Sequence, residues 1–208
     1  MTTPIPAPLF TDPAPEQRLE LVAAALAGNN FAAEILDDAA AARTRVKDLI
    51  PEGTTVFTGA SETLRLSGIE EDINKSGRYD SFKSRPPMDR VTQRQEIWAA
   101  LSTPDFIVGS VAAVTETGSL VVASASGGQL PGYAGAAAHA IWLVGAQKVV
   151  PDLPTALRRV EEHCLPLESE RAMRVYGQPS AVNRVLILNA EPEPGRGIVL
   201  LLREAIGF

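Results

Sequence analysis

The sequence is poor in the residues that close disulfides and bind metals. It has one cysteine, Cys164, and two histidines, His139 and His163, among 208 residues. A single thiol cannot form an internal disulfide, and it supplies too few thiolates for an iron-sulfur cluster or a structural zinc site. We therefore expect a cytoplasmic protein that carries no metal and no cofactor of its own.

Excess basic charge and long apolar runs are also missing. The net charge is -6 and the isoelectric point about 5.0, which disfavours nucleic acid, since Lys and Arg provide most of the affinity for phosphates. The longest mostly apolar stretch, residues 134–146, is too short to span a bilayer. The first residues lack the basic and apolar regions of a signal peptide. We expect no nucleic-acid partner, no membrane segment and no secretion.

The remaining composition is that of a folded domain. Apolar residues make up 45% and charged residues 21% of the chain, both ordinary values for globular proteins. Four prolines within residues 1–13 disfavour regular structure there, which predicts a mobile N-terminal arm. Residues 14–208 are predicted to form a single domain.

Periodic and continuous apolar runs predict an α/β fold. Helical spacing of apolar residues predicts helices at 16–28, 39–50, 89–101 and 153–160. Continuous apolar runs predict strands at 31–36, 54–58, 106–108, 111–114, 120–122, 141–144, 149–150, 185–188 and 198–202. Residues 72–87 are predicted to be mostly irregular, with a possible strand at 79–82. Strands without polar alternation are typical of a mostly parallel central sheet covered by helices on both faces.

The first candidate site is the segment Thr58-Gly59-Ala60-Ser61-Glu62-Thr63. A strand that leads through small residues into a helix presents free backbone N–H groups and hydroxyls to an anion. Gly59, Ser61 and Thr63 are therefore predicted to bind a phosphate or carboxylate. The alternative is that Ser61 only caps the helix.

The second candidate is the turn Thr115-Glu116-Thr117-Gly118-Ser119, between two apolar strands. A carboxylate at a strand end can serve as nucleophile or general base, which makes Glu116 the predicted catalytic residue. Thr117, Gly118 and Ser119 are predicted to contact the substrate. The alternative is a hairpin turn with solvated polar side chains.

The third candidate is the small-residue loop at 124–132, in which Gly128 is predicted to present its backbone N–H to a ligand. The alternative is a plain connection between a strand and a helix. The loop lacks the GxGxxG pattern of dinucleotide sites. His139 lies in an apolar run and is predicted to pack in the core.

Three segments in this order and spacing resemble the LUD (lactate-utilisation) domain family of the LutC/YkgG type. They are Ser61-Glu62-Thr63-Leu64 with Gly68-Ile69, Ala113 to Val121, and Val144 to Leu153. The resemblance covers about residues 18–190. It implies a NagB/RpiA/CoA-transferase-like fold, in which a mostly parallel sheet is flanked by helices.

The resemblance also implies a function. Members of this family take part in the oxidation of L-lactate to pyruvate as partners of iron-sulfur oxidoreductase subunits, so we expect an accessory subunit. Larger relatives carry cysteine-rich cluster motifs that a chain with Cys164 alone cannot reproduce. One alternative is a stand-alone enzyme or binding protein that uses Glu116 on a small anionic substrate such as an acyl-CoA, a sugar phosphate or a carboxylate. Another is a structural or regulatory binding module.

The C-terminal region departs from the family pattern. Some relatives have a Gly-Pro-Ser motif followed by a His-Gly-Pro segment, whereas here Gly177-Gln178-Pro179-Ser180 is followed by no histidine. Arg184 and Arg196 are left as candidates for holding a carboxylate, because a guanidinium binds one in a bidentate manner. The alternative is that both are surface residues.

Overall fold

The computed structural model describes residues 10–89 and 91–208. Most of the predicted arm at residues 1–13 therefore lies outside the described residues. Within its described part, Phe10 is only 4% exposed and packs in an apolar cluster with Val121 and Val160. The described end of this segment thus contributes to the core.

The strands form two sheets. Their bounds are β1 (Ala32–Leu36), β2 (Thr55–Thr58), β3 (Asp80–Ser81), β4 (Phe106–Ser110), β5 (Ala113–Thr115), β6 (Leu120–Ser124), β7 (His139–Gly145), β8 (Val149–Val150), β9 (Arg184–Leu188) and β10 (Gly197–Leu202). The larger sheet has the order β1-β10-β7-β4-β2-β3, and its strand pairs are parallel. The smaller has the order β8-β5-β6-β9, with β6 antiparallel to both neighbours.

The helices connect these strands. They are α1 (Glu16–Gly28), α2 (Ala39–Leu49), α3 (Glu62–Leu66), α4 (Ile69–Lys75), α5 (Arg94–Ser102), α6 (Leu153–Arg159) and α7 (Leu165–Tyr176). The irregular connection predicted from residue 72 is wrong as far as Lys75, because α4 extends to that residue. Helix α7 was not predicted, since its polar sequence buries few side chains, among them Pro166 and Ala172.

The larger sheet is covered on both faces, as the continuous apolar strands predicted. Along β7, Trp142 and Val144 belong to the core cluster that also contains residues of α1. Ile141 and Leu143 point to the opposite face, into the cluster that contains residues of α2, α3 and α4. Successive side chains of a strand alternate between faces, so a strand between two helical layers must be apolar throughout. The predicted α/β class and mostly parallel sheet are confirmed.

The connections from β2 and β4 leave the sheet in opposite directions. These strands are neighbours, but β2 is followed by β3 on one side, whereas β4 leads through the smaller sheet to β7 on the other. Loops that diverge at the carboxyl ends of adjacent parallel strands open a crevice, which is the usual ligand site of such sheets. The fold therefore points to the end of β2 and β4.

Candidate functional site

A cleft of about 480 Å³ lies at this position. Its walls include Gly59, Ala60 and Ser61 from the loop after β2 and Ser110 from the end of β4. The walls continue along α7 with Glu168, Arg171 and Tyr176, through residues 178–182 after that helix, and along the end of β6 and the loop that follows it, residues 122–126. The volume lies within the range of about 300–1,000 Å³ that is typical of small-molecule sites.

The Lys148 side chain is buried directly behind this wall. Its Nζ donates hydrogen bonds to Thr63 Oγ1 at 2.8 Å, Ser110 Oγ at 2.9 Å and the Val111 carbonyl oxygen at 3.2 Å. The side chain is 1% exposed, and among the described residues no carboxylate lies within ion-pair distance of Nζ. Three neutral acceptors therefore solvate this amine, and two of them, Ser110 and Val111, belong to residues that line the cleft.

The surroundings of Lys148 change its protonation. Burial and, to a smaller extent, the nearby Arg159 guanidinium lower the pKa of its ammonium group to about 7, against an opposing effect of Cys164. Removal from water disfavours the charged form of a lysine. Near neutral pH the side chain is therefore a mixture of ammonium and free amine, and it can give or take a proton.

Arg159 is a second buried cation near the same wall. Its Nη1 donates to the Ala112 carbonyl oxygen and to Cys164 Sγ, and both residues line the cleft. Within the described part of the chain, Nε and Nη2 have no hydrogen-bond partner. Burial raises the pKa of the Cys164 thiol, so the thiol does not supply a compensating negative charge at neutral pH.

Tyr133 brings a free hydroxyl to the cleft. The residue lines the cleft but is only 2% exposed, and its burial raises the pKa of the phenol. A Cβ atom added to Gly109 would lie 1.7 Å from this hydroxyl oxygen, and one added to Gly59 would lie 3.3 Å from it. The hydroxyl thus sits between the ends of β4 and β2, and no hydrogen bond joins it to another described residue. It is available to a ligand as a neutral donor.

The structure brings part of the first predicted site together. Gly59 and Ser61 line the cleft, and Thr63 is buried with its hydroxyl bound to Lys148. Ser61 Oγ also accepts a hydrogen bond from the Leu64 backbone N–H at 3.3 Å, so the capping alternative holds alongside a position in the cleft. Gly128 is not among the residues that line the cleft, although Ser126 and Gln129 of the same loop are.

The second predicted site lies elsewhere. Glu116 accepts a hydrogen bond from Arg18 Nε at 2.7 Å, and a Cβ on Gly118 would come within 2.9 Å of the Ala25 and Leu26 backbone in α1. Thr117 shares a hydrogen bond with Thr115, and Ser119 donates one to Asn189. This turn packs on α1 and does not line the cleft, and the catalytic role of Glu116 stays a prediction.

The two arginines near the C-terminus have different surroundings. Arg196 is not a surface residue: it is buried and pairs with the Glu191 carboxylate, Nη1 to Oε2, at 2.6 Å. It therefore holds a carboxylate of its own chain. Arg184 is exposed, and its Nη1 donates to the Ala125 carbonyl oxygen at 3.2 Å. The predicted core residue His139 is partly buried and stacks on Phe106 at a ring-centroid distance of 4.7 Å.

The sequence reasoning missed four residues of the site: Ser110, Tyr133, Lys148 and Arg159. Lys148 had a usable signal, because it is a single cation next to the apolar pair Val149-Val150. A lysine next to buried apolar residues is either at the surface or buried with polar partners. The other three carry no local signal, since only the chain's folding places them at one cleft.

Two searches of the described residues gave negative results. No group of three or more His, Cys, Asp or Glu side chains in that part of the chain is arranged to hold a metal ion. No helix within the described ranges has the length and apolar character needed to cross a bilayer.

The chain was compared with known proteins. The family model of the LUD domain matches residues 19–202, and no significant match to a curated protein was found. A crystal structure of a DUF162 family protein from Deinococcus radiodurans is similar to this chain with a TM-score of 0.54 and 13% sequence identity, over 89% of this chain and 96% of that one. This likeness supports the fold alone. Because the family model spans most of the sequence, the predicted resemblance is confirmed and the chain belongs to the LUD domain family.

Proposed function

We propose that this LUD-domain protein serves in L-lactate utilisation, the oxidation of lactate to pyruvate, as an accessory subunit of cytoplasmic iron-sulfur oxidoreductases. In this proposal the cleft binds the small carboxylate anion. Family membership supports the pathway, and the charges near the cleft support the ligand class.

The observation that carries the ligand class is buried positive charge without a counterion. Lys148 and Arg159 are both less than 2% exposed, and neither forms an ion pair with another described residue. Burial of an unpaired charge costs several kcal/mol or more. A bound anion would offset that cost, whereas a cationic ligand would increase it.

The cleft wall also offers suitable donors. The Tyr133 hydroxyl has no partner among the described residues, and the Ser110 hydroxyl connects the cleft to the Lys148 ammonium over 2.9 Å. Hydrogen bonds to an ionised acceptor are shorter and stronger than those between neutral groups. A carboxylate in contact with these hydroxyls would therefore be stabilised by the nearby Lys148 ammonium, to which Ser110 is hydrogen-bonded.

The proposed oxidation requires a partner protein that accepts electrons. Conversion of lactate to pyruvate releases two electrons, which an acceptor must take up. The chain has one cysteine, too few for an iron-sulfur cluster. In the proposed assembly the cluster of a second protein accepts these electrons, while the LUD domain holds the acid.

Ligand binding tests the first half of the proposal. Because a ligand that binds only the native state raises its unfolding temperature, L-lactate and pyruvate are expected to stabilise the wild-type protein. Lys148→Met should abolish this shift. Lys75→Met is the matched control, since it removes an equal charge from an exposed residue of α4 and should leave the shift intact. Equal shifts in all three proteins, or none with either acid, would contradict a carboxylate site at Lys148.

Co-purification tests the second half. The tagged chain, isolated from its native cells without oxygen, should bring down a protein with the visible absorbance of an iron-sulfur cluster. Recovery of the chain without any iron-containing partner would leave only the ligand-binding half of the proposal.

A further inference from the structure

One serine of the cleft differs from its neighbours in its hydrogen-bond partner. Ser110 Oγ lies 2.9 Å from Lys148 Nζ. Four other serines line the cleft, and they bond differently. Ser61 accepts from the Leu64 N–H, Ser124 contacts Gln129 Oε1, and Ser126 accepts from the Gly128 N–H. Ser180 accepts from Ser169 Oγ through its backbone carbonyl oxygen. Within the described part of the chain, Ser110 is thus the cleft serine that has an amine within hydrogen-bond distance.

A serine hydroxyl becomes a nucleophile when a base takes its proton. An ordinary lysine is protonated at neutral pH and cannot act as that base. Here burial and, to a smaller extent, Arg159 lower the pKa of Lys148 to about 7, and Cys164 opposes them. Arg159 and Cys164 are the charged or titratable groups that face the amine. A pKa of about 7 leaves a substantial free-amine population at neutral pH, which is close to the optimum for a general base.

The Ser110 hydroxyl has two hydrogen-bonding states. With Lys148 protonated, Ser110 Oγ accepts from Nζ and donates its own proton to the Leu143 carbonyl oxygen. With Lys148 neutral, rotation of the hydroxyl hydrogen directs it to the Nζ lone pair. The change needs no movement of heavy atoms, because the distance is already that of a hydrogen bond.

We propose that Ser110 and Lys148 form a serine–lysine dyad that cleaves esters or thioesters of small anionic acids bound in the cleft. Pairs of this kind perform acyl transfer on several unrelated folds. The proposal goes beyond a role in lactate utilisation: it uses the same cleft but does not depend on lactate as the ligand. The cleft volume of about 480 Å³ leaves room beside a three-carbon acid for a leaving group.

The reaction consists of two balanced steps. Ser110 Oγ forms a bond to the carbonyl carbon of the substrate while its proton passes to Lys148 Nζ. The bond from that carbon to the alcohol oxygen or thiol sulfur then breaks, and the leaving group takes the proton from Nζ. Water attacks the acyl-serine, gives a proton to Nζ, and the acid departs as Ser110 recovers its proton. The net change is ester or thioester plus water to acid plus alcohol or thiol.

Tyr133 supplies the donor that the intermediate needs. Its unpartnered hydroxyl lies against Gly109, the residue before the nucleophile in the chain. A donor held in a water-poor site stabilises the negative oxygen of a tetrahedral intermediate. Any side chain at position 109 would displace this hydroxyl, which accounts for the glycine there.

Acylation by p-nitrophenyl acetate tests the dyad. The wild-type protein should release nitrophenolate and gain an acetyl group that peptide mass spectrometry locates at Ser110. Ser110→Ala should lose the label, and Lys148→Met should acylate about a hundredfold more slowly, the usual effect of removing a general base. Ser76→Ala, which alters an exposed serine outside the cleft, should acylate like wild type. A label on another residue, or equal rates in the Lys148→Met protein, would overturn the proposal.

A second measurement does not rely on the alanine variant. In Ser110→Cys the rate of alkylation by iodoacetamide at position 110, separated from Cys164 by peptide mapping, reports the thiol pKa. A thiol next to a cation has a lowered pKa. The plot of alkylation rate against pH should therefore rise at lower pH in Ser110→Cys than in the Ser110→Cys, Lys148→Met double variant. Coincident profiles would overturn the dyad. A thermal shift with L-lactate or pyruvate but no acylation of Ser110 would reject the dyad alone. Acylation of Ser110 without a thermal shift from either acid would reject the lactate site alone.

Discussion

The two ends of the larger sheet differ in whether a buried cation is paired with a carboxylate. At the amino-terminal end, before β10, Arg196 pairs with Glu191, and both side chains are 5% exposed. Its guanidinium also donates to the carbonyl oxygens of Ala137, Gly132 and Tyr133. At the carboxyl-terminal end, Lys148 has only neutral acceptors, and Arg159 leaves Nε and Nη2 without a partner among the described residues.

This difference separates a structural ion pair from the proposed binding site. The Arg196 charge is offset by a carboxylate of the same chain, so it has no remaining capacity for a ligand. The Lys148 and Arg159 charges lie beside the cleft and form no ion pair with another described residue, so the proposed anion would be their counterion. Tyr133 connects the two ends, because Arg196 binds its backbone while its hydroxyl faces the cleft. The end of the sheet with the Arg196–Glu191 ion pair therefore helps to position Tyr133 at the cleft.

Loss of the Arg196 side chain should have the largest effect on stability. Arg196→Met leaves the Glu191 carboxylate buried and unpaired, which should lower the free energy of unfolding by about 3–5 kcal/mol, measured by urea denaturation. Adding Glu191→Gln should restore part of the loss, since the buried charge is then removed. Arg174→Met, at an exposed pair with Glu170, is the control and should cost less than about 1 kcal/mol. A similar cost in both single variants would refute the comparison.

Lys148→Met should change how stability depends on pH. The folded pKa is about 7 and the ordinary value is 10.5, so between these values the unfolded chain binds the extra proton and stability rises with pH. The stabilising contribution is complete above the ordinary value and is lost as pH falls through about 7. Because the variant lacks this slope, the difference in unfolding free energy between wild type and variant should change by about 3–4 kcal/mol between pH 7 and 10.

The measurement is denaturant unfolding of both proteins across that pH range. Lys75→Met, which alters an exposed lysine, should keep the wild-type slope. Parallel curves for wild type and Lys148→Met would mean that the amine keeps its ordinary pKa, and Lys148 would then be no base.

Glu116→Gln should have the smallest effect. The Arg18–Glu116 pair has side chains 38% and 30% exposed, so breaking it should cost about 0–1 kcal/mol. The variant should keep both the ligand-induced thermal shift and the acylation of Ser110, because Glu116 does not line the cleft. Loss of either activity with unchanged stability would move the site to the turn between β5 and β6, as the sequence predicted.

The sequence was informative wherever a residue's role depends on its neighbours along the chain. The continuous apolar runs identified β4, β7 and β10 and their coverage on both faces, because a strand between two helical layers needs apolar side chains on each side. The sequence also selected the loop at Gly59 and Ser61, which lines the cleft, and anion binding by this loop stays a prediction. Helix α7 was missed, since its exposed residues make it look like a connection.

The sequence by itself determined the α/β class, the family and one loop of the cleft, since these rest on local patterns and ordered segments. Only the tertiary structure decided which charges are compensated. Glu191 and Arg196 are close in sequence and form a buried ion pair. Ser110 and Lys148 are separated by 38 positions and come into contact because the chain returns from the end of β4 to the start of β8. Burial and distance set the charge and pKa of Lys148, and both are properties of the packed chain.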